Sequence, residues 1–253
     1  MLTLSVEEDF HWWISITVIV VSLPVFLLEI PISKSMSTWR FLGPSLPARL
    51  SWFLFEIPNL IWSAICVIKV DHQLPPTNKL LLSLFVLHYI QRTIFFPLRM
   101  SPTAKGMPLA VVLAALVYTI ANGYLQARGI CQFQTYEKDH LWRPASVLGL
   151  IFFLYGAYVN LKGDALLRSL RAQNKGYQIP RSGWFEYVSA AHYFGEILEW
   201  TGFALISWSL AAFSFAFFTA ANLIPRGIAQ HQWYKEKFRD YPTERKAIIP
   251  FIL

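Results

Sequence analysis

The chain has 253 residues, of which 55% are hydrophobic and 16% aromatic, and its mean hydropathy is +0.41. This composition lies well beyond the usual balance of a soluble protein and argues against one. The two cysteines, Cys66 and Cys131, give neither a disulfide framework nor a metal-ligand spacing. The formal net charge of +7 would suit a nucleic-acid ligand, but the positions of the basic residues give another explanation.

Apolar segments near the ~20 residues that a membrane-spanning helix needs recur along the whole chain. The sequence therefore predicts an all-α, multi-pass integral membrane protein, built as a single domain over residues 1–253. We predict about seven spanning helices, with a turn at 207–209 between the last two. Their approximate ranges are 11–30, 50–69, 79–98, 107–127, 145–163, 186–206 and 208–225.

The lysines and arginines predict the orientation of these helices. With the N-terminus outside, 17 of the 22 basic residues fall in four cytosolic segments, at 31–49, 92–106, 162–185 and 226–253. This excess fits the positive-inside rule and places the C-terminus in the cytosol. The basic charge is thus a topology signal, and we predict no nucleic-acid partner.

The second span contains a carboxyl group, Glu56, within the sequence FLFEIPNLIW. An ionisable side chain at the centre of a spanning helix costs about 2.5–3.5 kcal/mol on insertion scales. Pro58 removes a backbone donor and predicts a kink near Glu56, which would open room for a ligand. A structural ion pair with an arginine of a neighbouring span is the alternative interpretation.

The third span contains LHYIQRT, in which His88 and Arg92 share a helical face. Tyr89 lies about 100° around the same helix. A tyrosine near a membrane interface can be only an aromatic anchor. If Tyr89 reaches a buried carboxyl group, however, it could donate a hydrogen bond to a carbonyl.

Polar residues recur at helical spacing in NLKGDALLRSLR, where Asn160, Asp164, Arg168 and Arg171 fall within an arc of about 80°. An amide, a carboxylate and two guanidinium groups on one face suit a ribose and phosphates. A solvated helix leaving the membrane would look similar, so both interpretations stay open on these residues alone.

In AAHYFGEILEW, the side chains of His192, Glu196 and Glu199 lie within about 60° of one another. Carboxylates facing lipid are implausible, so we expect this face to line a polar cavity. There is no HExxH and no second histidine in phase, and we predict no metal. Neither a GxGxxG turn nor a P-loop is present, so any nucleotide site must consist of helical faces.

Several long segments, in order, closely resemble the steroid 5α-reductase family, over about four fifths of the chain from Leu46 onward. They are LPARLSWFLFEIPNL, LHYIQRTIFF, NGYLQAR, the 160–171 face, GYQIPRSGWFEYVSAAHYFGEILEW and HQWYKEKFRDYPTERKAIIPFIL. The resemblance implies a seven-span membrane reductase that takes NADPH from the cytosolic side. It also implies reduction of the 4,5 double bond of 3-oxo-Δ4 steroids that enter from lipid.

The resemblance also implies roles for individual residues. Glu56 and Tyr89 match the catalytic pair of the family, in a substrate pocket formed mainly by spans within 11–127. NADPH contacts, mainly from 145–253, match Asn160, Asp164, Arg168, Arg171, Tyr177, His192, Glu196, Arg226, His231 and Tyr234. Substrate contacts match Trp52, Phe55, Glu199 and Trp200.

Three positions depart from the family pattern. Phe55 stands where these reductases typically have glutamine, His192 where they usually have asparagine, and Gln230 replaces the first of two paired histidines. The preferred steroid is therefore open. We expect a monomer in contact with membrane lipids, in either a bacterial inner membrane or the endoplasmic reticulum.

Other functions remain as alternatives. The same scaffold could reduce trans-2-enoyl or polyprenol substrates, or transfer methyl groups like the isoprenylcysteine methyltransferases. A transporter or lipid-binding protein would need inverted repeats or paired broken helices, and neither is visible in the sequence.

Overall fold

The structure is a computed structural model that describes residues 2–27, 42–70, 73–173 and 176–253, without the side chains of 2–5 and 24–27. It is mostly helical, as predicted. The helices are α1 (Leu2–Leu27), α2 (Ala48–Lys69), α3 (Pro76–Ile90), α4 (Phe96–Arg99), α5 (Leu109–Arg128), α6 (Pro144–Ala172), α7 (Ala191–Ser207) and α8 (Leu210–Lys237). The strands β1 (Ser45–Leu46) and β2 (Met107–Pro108) form a short antiparallel pair.

Four helices within the described ranges are long and apolar enough to cross a membrane. They cover Ala48–Lys69, Pro76–Arg99, Leu109–Phe133 and Pro144–Ala172. These four match the predicted spans at 50–69, 79–98, 107–127 and 145–163. The total of seven spans and the orientation of the termini stay predictions, and the span predicted at 11–30 extends beyond the described part of α1.

The last two predicted spans correspond to α7 and α8. The predicted turn at 207–209 is confirmed, because α7 ends at Ser207 and α8 begins at Leu210. The predicted start of the sixth span at residue 186 is wrong, since α7 begins only at Ala191. The backbone N–H groups of Ser189 and Ala190 instead bond the carbonyls of Lys246 and Ala247, at 2.9 and 3.1 Å.

The chain forms two compact units. The first consists of Met1–Ile16, Ile32–Arg143 and Ser209–Ala211, and the second of Thr17–Pro31, Pro144–Trp208 and Ala212–Leu253. In the first unit α2 packs closely on α5 at Gly123, where an added Cβ would lie 3.0 Å from the Cα of Asn59. This close approach brings the polar positions of the two helices within reach of each other.

Two π-helical turns occur in the described part of the first unit, Gln91–Phe95 between α3 and α4 and Gly129–Phe133 after α5. In the first turn, the N–H of Phe96 bonds the Gln91 carbonyl. Pro97 follows at once, and its missing N–H and bulky ring disfavour a regular α-turn here. By contrast, α2 continues through Pro58 as a single helix.

In the second unit, α6 and α7 pack backbone against backbone. Glycines recur every seven residues on both helices, at Gly149, Gly156 and Gly163 of α6 and at Gly195 and Gly202 of α7. A Cβ added at Gly156 would lie 2.4 Å from the nitrogen of Glu199 and 2.6 Å from the carbonyl oxygen of Gly195. Glycine, which has no Cβ, allows this close approach of the two helices.

Candidate functional site

The first unit buries the carboxyl and phenol groups that the sequence singled out. Glu56 on α2 is 8% exposed and Tyr89 on α3 is 4% exposed, in spans that are otherwise largely apolar. The hydroxyl oxygen of Tyr118 on α5 is also buried, and it lies within electrostatic range of the Glu56 carboxyl group. Glu56 and Tyr118 therefore belong to one buried polar region.

Asn122 on α5 connects this region to Tyr89. Its Nδ2 donates to the phenol oxygen of Tyr89 and to Oδ1 of Asn59, both at 3.2 Å. Asn59 in turn donates from Nδ2 to the backbone carbonyl of Glu56, also at 3.2 Å. A hydrogen-bonded path thus runs from the phenol to the helical turn that presents Glu56.

Gln126, one turn after Asn122, extends the path. Its Nε2 donates to Oδ1 of Asn122 at 3.2 Å and to the Ala211 carbonyl at 2.8 Å. We call Asn59, Asn122 and Gln126 the amide chain; the three side chains are 0%, 2% and 2% exposed. Sequence analysis assigned these residues no role. The available signal was their occurrence as uncharged polar residues in apolar spans, with Asn122 and Gln126 at i, i+4.

An aromatic cluster in the first unit joins α2 to the π-helical turn at Gln91–Phe95 and to α4. The ring of Trp52 is 5.0 Å from that of Phe55 and 4.7 Å from that of Phe96. The guanidinium of Arg92 lies over both Trp52 and Phe96, 4.7 Å from each ring centre. The two predicted substrate-binding residues of α2 are therefore in contact with each other, and a cation–π arrangement holds one of them.

The predicted cofactor face of α6 changes from buried to exposed along the helix. Asn160 and Asp164 are buried, Arg168 is half-buried and Arg171 is exposed. Asn160 donates from Nδ2 to the His192 carbonyl at 3.0 Å and to Oε2 of Glu196 at 3.2 Å. The structure thus joins the two polar faces that the sequence analysis treated separately.

The polar face of α7 packs into the second unit. His192 and Glu199 are buried and Glu196 is half-buried. Trp200 is 1% exposed, and its ring centre lies 4.2 Å from that of Phe215. His192 and Glu199 are buried against α6, in agreement with the expectation that this face does not meet lipid. That the face lines a polar cavity, and that its residues bind ligands, stay predictions.

The remaining predicted cofactor residues lie towards the C-terminal end of the second unit. Tyr177 is exposed and its ring meets that of Trp233 edge-on at 4.9 Å, while Arg226 is exposed on α8. Tyr234 is buried, stacks on Tyr241 at 5.4 Å, and lies within electrostatic range of Arg171. Burial raises the pKa of Tyr234 above its ordinary value, so the phenol stays neutral at physiological pH.

His231 belongs to a hydrogen-bonded network that sequence analysis missed. Its Nδ1 lies 2.6 Å from Oγ of Ser189, which lies 2.5 Å from the hydroxyl of Tyr241. The pKa of His231 is lowered, first by burial and then by the charges of Lys235 and Lys246. The imidazole is therefore neutral at physiological pH. Ser189 is 42 residues from His231 in sequence, so helical spacing gives no signal for this contact.

One buried donor in the second unit fits an anionic ligand. Nη1 of Arg168 is buried and has no hydrogen-bond partner among the described residues. A buried guanidinium N–H without an acceptor is costly, and phosphate oxygens are acceptors that arginine binds well. Asn160, Asp164 and Arg168 together therefore fit the ribose and phosphates of a nucleotide such as NADPH.

Comparison with known proteins identifies a family. A profile of the 3-oxo-5-alpha-steroid 4-dehydrogenase family matches residues 105–253. Rat 3-oxo-5-alpha-steroid 4-dehydrogenase 1 is 44% identical over 216 residues, covering 83% of this chain and 82% of the relative. The steroid 5-alpha-reductase DET2 of the cotton Gossypium hirsutum is 39% identical over 259 residues, or 98% of this chain and 99% of the relative. The human 3-oxo-5-alpha-steroid 4-dehydrogenase 1 is 41% identical, covering 81% and 80% of the two chains.

Proposed function

The chain belongs to the 3-oxo-5-alpha-steroid 4-dehydrogenase family, and we propose that it reduces the 4,5 double bond of 3-oxo-Δ4 steroids with NADPH. The observation that carries the chemistry is the burial of Glu56 and Tyr89 within one unit. Similarity to steroid reductases over nearly the whole chain supports the substrate class.

The first unit supplies the polarising group in this proposal. Addition of hydride to C5 converts the enone to an enolate, so negative charge develops on the C3 oxygen. The Tyr89 phenol donates its one proton to that oxygen in a hydrogen bond, and the Glu56 carboxyl group, as a donor to the phenol oxygen, orients and polarises the phenol. Protonation at C4, by water, completes a net gain of one hydride and one proton.

The second unit supplies the cofactor contacts. When bound, NADPH supplies the hydride. Asn160 and Asp164 would hold the ribose, and Arg168 would bind phosphate oxygens through the N–H that has no partner among the described residues. The other proposed contacts are Arg171, Tyr177, His192, Glu196, Arg226, His231 and Tyr234.

The four apolar helices indicate a membrane protein. We further propose seven spans with the N-terminus outside, the cofactor residues on the cytosolic side and a monomeric enzyme. Flat apolar steroids concentrate in lipid, which is the proposed source of the substrate. Trp52 and Phe55, together with Glu199 and Trp200, are the proposed substrate contacts.

Isotopic labelling tests this function. The purified protein is incubated with 3-oxo-Δ4 steroids and NADPH deuterated at the transferred position, and separately with unlabelled NADPH in D₂O. We expect a product two mass units heavier than its substrate in the unlabelled reaction. The labelled cofactor should place one deuterium at C5, and D₂O should place one at C4.

A panel of other acceptors separates the alternatives. A trans-2-enoyl thioester and a polyprenol are offered under the same conditions. Reduction of either one, with no steroid product, would contradict the proposed substrate and keep the reductase class. No product from any acceptor, together with no NADPH binding, would contradict the class itself.

A further inference from the structure

The direction of hydrogen bonding along the amide chain is fixed at both of its ends. At one end Gln126 donates to the Ala211 carbonyl, and at the other Asn59 donates to the Glu56 carbonyl. A backbone carbonyl can only accept a hydrogen bond. Neither amide can therefore be turned around without setting two oxygen atoms against each other in a buried place.

This fixed direction determines how Asn122 meets Tyr89. Oδ1 of Asn122 accepts from Gln126, so its NH₂ group must face Asn59 and Tyr89. An amide N–H only donates, whereas a phenol can donate or accept. The Tyr89 oxygen is consequently an acceptor towards Asn122, and its own proton is directed to a different acceptor.

We propose that Asn122 is a positioning residue that holds Tyr89 as a hydrogen-bond donor for the substrate ketone. This inference rests on the proposed function, in which Tyr89 stabilises the developing enolate. A carboxylate in place of Asn122 would accept the phenol proton and compete with the substrate for it. A neutral amide whose oxygen already accepts from Gln126 offers the phenol no such acceptor.

The competing explanation is that these amides only hold helices together. Interhelical hydrogen bonds from asparagine and glutamine commonly do so in membranes. The two explanations predict different results for Asn122→Asp. This substitution keeps the size of the side chain, but an ionised carboxylate only accepts hydrogen bonds. They also differ over Asn122→Leu, which removes the donor without offering the phenol an acceptor.

The test is steady-state kinetics of both variants on a 3-oxo-Δ4 steroid, with NADPH binding measured separately. If Asn122 directs the phenol proton, Asn122→Asp lowers kcat by about 100-fold and Asn122→Leu by only about 10-fold, the scale seen when one transition-state donor is lost or weakened. NADPH affinity should stay within about twofold for both. A purely structural role predicts the opposite order, because aspartate preserves shape better than leucine does.

A double-mutant cycle isolates the connection to Tyr89. In a Tyr89→Phe background the phenol proton is already gone, so adding Asn122→Asp should lower kcat less than twofold further. Ser63→Ala is the matched control, because this buried hydroxyl donates to the Asn59 backbone carbonyl at 2.8 Å and lies outside the amide chain. We expect it to leave kcat unchanged.

The result that overturns the inference is a loss from Asn122→Asp that is equally large with and without the Tyr89 hydroxyl. If Asn122→Asp abolishes NADPH binding and so fails to fold, the same cycle with Asn122→Leu decides. A failure of the proposed function is distinguishable, since it appears as wild-type protein and Tyr89→Phe having equal activity. That result removes the role of Tyr89 and this inference with it.

Discussion

The two units bury polar groups of different kinds. In the first, neutral amides bond to a phenol in a direction set by backbone carbonyls. In the second, Asn160 donates to the Glu196 carboxylate, and a buried N–H of Arg168 has no acceptor among the described residues. His231 bonds the Ser189 hydroxyl, and the direction of that hydrogen bond depends on the protonation of the imidazole. Neutral groups with a fixed direction suit the control of one proton in a low-dielectric place, whereas charged groups suit a multiply charged ligand.

The largest effect is expected from removing the Tyr89 hydroxyl, which belongs to the first unit. Tyr89→Phe should lower kcat/KM by about 10²–10³-fold, the usual loss when one oxyanion donor is removed. NADPH affinity should not change, because the proposed cofactor contacts lie in the second unit. Steady-state kinetics combined with calorimetric NADPH binding checks this. An equal loss in both quantities would contradict the division of roles between the two units.

The next effect concerns the packing of α6 against α7 within the second unit. Gly156→Ala places a methyl group against the α7 backbone, and such overpacking costs about 1–3 kcal/mol of unfolding free energy. NADPH affinity should fall as well, because the same contact brings Asn160 to Glu196. Denaturation in detergent micelles measures the stability.

Gly227→Ala is the control for this change. An added Cβ there would lie 3.0 Å from Cδ1 and 3.1 Å from Cβ of Ile248, which are side-chain atoms at longer distances than the 2.4 Å backbone contact at Gly156. Its effect should be clearly smaller. Equal destabilisation by the two substitutions would show that the backbone contact between α6 and α7 is not the reason why Gly156 tolerates no larger residue.

A smaller effect is expected at the two arginines of α6. Arg168→Ala should raise the Kd for NADPH about 10-fold, as expected for loss of one charged hydrogen bond. Arg171→Ala should have the same direction but a smaller size, because Arg171 is exposed and its charge is screened. Both substitutions should raise the KM for NADPH more than the KM for the steroid. A larger rise in the KM for the steroid would contradict their placement at the nucleotide.

The smallest expected effect is a pH dependence of the unfolding free energy, caused by His231 in the second unit. The pKa of His231 is lowered in the folded chain by burial, Lys235 and Lys246, so the unfolded chain binds the proton first. The contribution of neutral His231 to stability is therefore complete above its unfolded pKa of about 6.5 and is lost as pH falls below it. Thermal unfolding between about pH 5 and 8 should show this slope, and His231→Gln should flatten it. An unchanged slope in the variant would assign the effect to another group.

Much of the fold follows from local signals in the sequence. Long apolar segments predicted four of the helices that can cross a membrane, and the SWS sequence at 207–209 predicted the turn between α7 and α8. The burial of His192 and Glu199 agrees with the prediction, made from helical spacing, that their face does not meet lipid. The start of α7 did not follow, because it depends on the pairing of Ser189 and Ala190 with Lys246 and Ala247.

The site was harder to predict from the sequence for the same reason. Glu56 and Tyr89 stand out in sequence because an ionisable or hydroxyl group in an apolar span is unusual. Asn59, Asn122 and Gln126 form a chain only after α2, α3 and α5 pack, so their bonds cross 33 and 63 residues of sequence. Hydrogen-bond direction, which carries the central inference, is a property of that packed arrangement and has no sequence signature.

The stretching frequency of the bound ketone tests whether Tyr89 donates a hydrogen bond to it. A steroid labelled with ¹³C at C3 is bound to the protein, and the carbonyl band is isolated by infrared difference spectroscopy. We expect a lower frequency in wild-type protein than in Tyr89→Phe, because a phenol that donates a hydrogen bond weakens the carbonyl bond. In Asn122→Asp the frequency should move towards that of Tyr89→Phe. Identical frequencies in wild-type protein and Tyr89→Phe would show that the phenol does not donate to the ketone.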